Sequence, residues 1–96
     1  EEFDTYWREQ HAPLLRSVTE FSRHVRRYVQ CHRMDAQIFA GSQEWDGIVE
    51  LCFDSVEAME GAFAEPKYAE VIRADEMKFV DLDTARVFVG EELRVI

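Results

Sequence analysis

Residues 3–15, FDTYWREQHAPLL, place a histidine and a proline two positions apart inside one amphipathic pattern. Phe3, Tyr6, Trp7, Leu14, Leu15 and Val18 recur at the spacing of a helix with one buried face. His11 falls on that face, four residues after Trp7, so its imidazole points towards apolar material. Pro13 brings no N–H, and its ring crowds the carbonyl four residues back. It also pushes Ala12 away from helical angles. The spacing therefore predicts a helix over 1–12, a loosening or kink near His11, and a second helical segment from Pro13 to about Phe21. Two roles for His11 stay open: a core histidine bonded to a freed carbonyl, or a proton-transfer group aimed into a cavity.

The sequence of 96 residues, 47% of them hydrophobic, fits one small domain with a core of its own. Seven Phe, two Trp and three Tyr can also surround a ligand or a partner. A formal charge of −9 opposes non-specific binding to nucleic acid and to anionic lipid, because the phosphate-neutralising interaction has the wrong sign. No apolar run reaches the length of a membrane span, so no membrane partner is expected. Two cysteines in a chain with an ample core argue against a disulfide scaffold, and the expected compartment is the cytoplasm. Cys31 and Cys52 are expected as free thiols on opposite sides of a sheet.

Residues 26–33 alternate, with Val29 and Cys31 on the side suited to packing against helices and Tyr28, Gln30 and His32 in a polar row. That row is either a solvated sheet face or the lining of a polar cavity. Residues 34–47 form a loop whose Ile38, Phe39 and Trp45 are apolar enough to fold down as a lid. The second strand, 48–53, sets Val49, Leu51 and Phe53 on one face and Ile48, Glu50 and Cys52 on the other. Glu50 is expected to share the face of Tyr28 and His32. Asp54 or Ser55 caps the next helix, Pro66 opens its continuation to about Lys78, and 85–89 alternate as a last strand. The order is helix, strand, strand, helix, strand. One more strand before residue 1 makes it a split βαβ arrangement, so a first strand is expected upstream, or the sheet borrows one.

The runs FDTYWREQHAPL, YVQCH, DGIVELCFDS, FAEPKY, ADEMKFVD and VFVGEE resemble, in order and spacing, the EthD-like family. The resemblance implies an α+β, ferredoxin-like sandwich: an antiparallel sheet with two helices on one face, paired through its other face into a dimeric α+β barrel. It implies a single EthD-like domain over 1–96 and a homodimer. Family members have been linked to bacterial ether degradation. Related proteins include dehydratases, cyclases and a muconolactone isomerase acting on aromatic, polyketide or lactone compounds, usually without metal or organic cofactor. His11 matches the family's helix histidine, and Tyr28 and His32 match the tyrosine and histidine of its second strand. At Cys52 this chain departs from the family, where a larger aromatic is frequent, which reshapes the pocket.

The residues themselves suit such chemistry. Histidine gives and takes protons near neutrality, and a protonated tyrosine donates to a developing oxyanion. The expected catalytic set is His11, His32 and Tyr28. Glu50, Cys52, Trp45, Phe39 and Trp7 are expected to line the same cavity around a small, apolar, oxygenated ligand. No metal and no cofactor are expected, since only Glu50 could join His11 and His32 as a third ligand. The expected activity is a lyase or dehydratase, cyclase or isomerase. Two alternatives stand beside it: a non-catalytic binding protein of a degradation pathway, and a cofactor-independent monooxygenase.

Overall fold

The structure is a computed structural model and describes residues 2–34 and 45–96. The N-terminal helix, α1 (residues 2–17), runs through three segments without a gap: α-helical Glu2–Tyr6, π-helical Trp7–His11 and α-helical Ala12–Ser17. The expected loosening near His11 takes the form of this π-helical stretch, and the backbone does not leave helical angles there. His11 and Ala12 keep helical angles, φ −70° and −61°. The chain accommodates Pro13 by widening the preceding turn instead, with the Ala12 N–H donating to the Trp7 carbonyl oxygen five residues back. The helix ends at Val18, where ψ turns to 87°, and a short helix α2, Thr19–Ser22, follows.

Strands β1 (Arg27–His32) and β2 (Gly47–Cys52) form a two-stranded antiparallel sheet among the described residues. Tyr28 pairs with Leu51, Gln30 with Val49 and His32 with Gly47, so these six share a face. Helix α3, Val56–Ala64, is capped by Ser55, whose hydroxyl accepts the Ala58 N–H at 3.0 Å. Asp54 is left free to bind the Arg26 guanidinium at 2.7 Å. Pro66 sits in the first turn of α4 (residues 66–79), which passes through a π-helical stretch, Tyr68–Arg73, before α-helical Ala74–Phe79.

Leu15, Val18, Phe21, Ala62 and Ile72 form the core, with Tyr28 and Leu51 packed on it from the sheet. The polar row Tyr28–Gln30–His32 therefore faces the helices. Val29 and Cys31, expected to do so, lie on the other face with Ile48, Glu50 and Cys52. The reason lies in α1. Gln30 bonds the Trp7 carbonyl and His32 contacts the Asp4 carboxylate, so α1 meets two of the three hydrogen-bonding tips. Cys31 and Cys52 share one face rather than opposite faces, and both are free thiols. Residues 85–89 form no strand: Val87 and Phe88 are 88% and 92% exposed, with no neighbouring strand among the described residues to pair with. The architecture is a small α+β fold, a two-stranded antiparallel sheet with helices on one face. No helix among the described residues is long and apolar enough to cross a membrane.

Candidate functional site

His11 is 3% exposed and Asp75 is 5% exposed. They meet at 2.8 Å through His11 Nδ1 and Asp75 Oδ2. Their helices bring them together from 64 residues apart, each partner at or just past a π-helical stretch. The Tyr6 hydroxyl donates to the other carboxylate oxygen of Asp75 at 2.5 Å. The Phe79 ring lies 5.0 Å from the imidazole and 5.1 Å from the Tyr6 ring, so it walls both donors. Lys78 Nζ stands 3.8 Å from Asp75 Oδ1 at the outer edge.

Burial opposes the charge on Asp75, yet the hydrogen bonds from Tyr6 and His11 outweigh it and hold the carboxyl below its ordinary value. The same bond to an anion raises the Tyr6 phenol. An ionised Asp75 accepts the Nδ1 proton of His11 and so fixes the tautomer. The lone pair is then on Nε2, which has no partner among the described residues. This is the arrangement of a general base oriented by a carboxylate. Tyr6 continues the network outwards, since it borders an open depression on α1 with Glu2, Thr5 and Gln10.

A second imidazole–carboxylate pair lies on the sheet. His32 Nδ1 contacts Asp4 Oδ1, and its Nε2 meets Gln30 Oε1 at 2.7 Å. The hydrogen bond from His32 holds the Asp4 carboxyl below its ordinary value. Trp7 separates the two pairs. Its ring lies 4.4 Å from His32 and 5.2 Å from Phe3, and Phe3 in turn packs on Phe79 at 5.6 Å. A Cβ at Gly47 would run into the indole, so the absence of a side chain there is what lets Trp7 lie on β2. Tyr28 is half-buried. Its phenol is raised by burial against the hydrogen bonds of Gln30 and Trp7.

Of the residues singled out from sequence, His11, Trp7, Tyr28 and His32 lie on the helix side of the sheet, on α1 or β1. Glu50 does not join them. It pairs across from Val29 on the opposite face and reaches Arg27 at 3.8 Å. Cys52 is on that opposite face too. Strand register thus places Glu50 on the sheet face opposite His32, not on the shared face expected for it. Trp45 is partly exposed and lines a shallow depression with Asp46, Thr84 and Arg86. Phe39 lies outside the described residues. Among the described residues, no group of three His, Cys, Asp or Glu side chains is placed to hold a metal ion.

Two members of the pairs, Asp75 and Asp4, escaped sequence reasoning, as did Tyr6 as the donor to Asp75. For Asp75 a signal existed. Tyr68, Ile72, Asp75 and Phe79 recur at four, three and four residues, so a carboxylate stands on the apolar stripe of α4. A charge on such a stripe requires a partner.

The family model described as EthD domain matches residues 1–83. Comparison with the curated proteins and with the solved structures finds no match.

Proposed function

The chain belongs to the EthD family, and from that premise we propose that it moves protons on a small oxygenated ring compound as a cofactor-free lyase, cyclase or isomerase. His11 is the general base and, once protonated, the general acid. Asp75 orients it and neutralises the imidazolium, and Tyr28 donates to substrate oxygen. The observation that carries this reading is the buried 2.8 Å contact between His11 Nδ1 and Asp75, which leaves Nε2 for the transferred proton. Taking a proton next to a carbonyl forms an enolate. Returning it elsewhere isomerises the compound, and expelling a hydroxyl dehydrates it.

The accompanying fold is ferredoxin-like, with the sheet faces of two copies closing a dimeric α+β barrel. What supports it is the outer face of the sheet, where Val29, Cys31 and Ile48 lie with no covering element among the described residues. A solution mass of one chain in light scattering sinks this part of the reading.

Deep burial of the pair carries a second reading, in which His11 and Asp75 brace a binding protein without catalysis. Exchange of the α-protons of 1-tetralone in D2O, followed by NMR, separates the two. The catalytic reading expects exchange above buffer, reduced by about a hundredfold or more in His11→Gln with the fold retained. Binding of the ketone with no exchange above buffer supports the second reading.

A further inference from the structure

Four polar side chains run in a line on the helix-facing side of β1. Asp4 contacts His32, His32 meets Gln30, and Gln30 reaches Tyr28. The direction of the Gln30 amide follows from chemistry. Its Nε2 lies 3.1 Å from the Trp7 carbonyl oxygen, and two acceptors cannot bond each other, so the nitrogen must be the group facing that oxygen. Oε1 then faces His32, whose Nε2 must carry a proton to fill the 2.7 Å contact. The second amide proton goes to the Tyr28 hydroxyl oxygen at 3.2 Å. That oxygen is thus an acceptor. Its own O–H has no acceptor among the described residues.

We propose that Gln30 is a positioning residue that turns the Tyr28 O–H outwards, making it a directed donor to an anionic or strongly basic ligand oxygen. The ligand class is an enolate, a phenolate or a polarised ring carbonyl. The proposal rests on reading Tyr28 as the donor to substrate oxygen. The chain Asp4–His32–Gln30 fixes the donor, so His32 acts through Gln30 rather than as a base of its own. A hydroxyl whose lone pair already accepts a bond is also a better donor, since the bonds of a chain polarise one another.

The probe is 4-nitrophenol, whose absorption distinguishes bound phenol from bound phenolate. The unaltered chain is expected to bind the phenolate in preference to the phenol. Gln30→Glu reverses the hydrogen bond, because a carboxylate oxygen accepts the Tyr28 proton and draws it inwards. About a tenfold loss of phenolate affinity is expected, the size of one hydrogen bond. Tyr28→Phe should lose as much, and Gln30→Glu added to it should lose nothing more. Gln30→Met, which removes the amide without adding a charge, covers the case in which Gln30→Glu does not fold, and should lose severalfold. No preference for phenolate in the unaltered chain overturns the proposal. So does equal phenolate affinity in the Gln30 variants, or a further loss from Gln30→Glu in the Tyr28→Phe background. The ketone exchange assay reads His11 separately, so a failure here leaves the proton-transfer reading standing, and the reverse.

Discussion

The two imidazole–carboxylate pairs use the same functional groups in different surroundings. His11 and Asp75 have side chains 3% and 6% exposed, and each comes from a different helix. His32 and Asp4 have side chains 17% and 41% exposed. In the first pair one imidazole nitrogen is held and the other has no partner among the described residues. In the second both nitrogens are engaged, one by Asp4 and one by Gln30. An imidazole with a free nitrogen can exchange a proton with a ligand. An imidazole engaged at both ends must give up one of those bonds before it can meet a ligand. Burial matters as well: removing water strengthens the charge-assisted bond at Asp75 and makes loss of either partner costly, while water at Asp4 offers replacement bonds.

The largest expected break in this comparison is Asp75→Ala. It leaves the Tyr6 hydroxyl and His11 Nδ1 without their acceptor in a buried place, and a stability loss of roughly 3 kcal/mol by denaturant unfolding is expected. Asp4→Ala should lose much less in the same measurement. Equal losses would mean the two pairs are energetically alike.

Next in size is Gly47→Ala. The new Cβ displaces the Trp7 indole, with an expected cost of about 2 kcal/mol. The change should shift the His32 ring resonances in NMR and leave those of His11 nearer their original positions, because of the two imidazoles His32 is the one packed against the Trp7 ring.

The pH dependence sharpens the contrast. Asp75 has a depressed carboxyl value in the folded chain, against 3.8 ordinarily. Its contribution is complete above that ordinary value and is lost as pH falls through the lower folded value. Stability should therefore drop on acidification below about pH 4, and Asp75→Asn should flatten that drop. Asp4 is depressed in the same direction, so Asp4→Asn should act with the same sign and a smaller size. An acid limb untouched by Asp75→Asn would sink the assignment.

The smallest effect is expected at Glu50→Gln. Its side chain lies on the far face of the sheet from both pairs, so stability should change by no more than about 0.5 kcal/mol. His11 and His32 resonances should stay in place. Movement of either would show that Glu50 communicates with them.

Much of the framework was legible in the chain itself. The period-two runs at 26–33 and 48–53 are the two strands within one residue, and the Ser55 cap and Pro66 mark real helix starts. His11 was identifiable as buried because Phe3, Trp7 and Leu15 define the face it stands on. Three expectations failed for physical reasons. Pro13 is expected to push Ala12 off helical angles, but the helix inserts a wider turn and keeps Ala12 helical. Cys31 was assigned to the core side by hydrophobicity, yet polar residues with long arms can face a helix when backbone carbonyls and rings meet them. The 85–89 run alternates like a strand, but alternation supplies a face and not a neighbour to bond.

What the sequence determined by itself was local: the periods, the caps and the buried side of α1, all set by interactions within a few residues. Tertiary structure decided which carboxylate meets which imidazole. Asp75 lies 64 residues from His11, and no short-range rule links them. Only the packing of α4 on α1 brings them to 2.8 Å. Strand register likewise put Glu50 on the far face, because the pairing of Val29 with Glu50 is fixed between strands and written in neither.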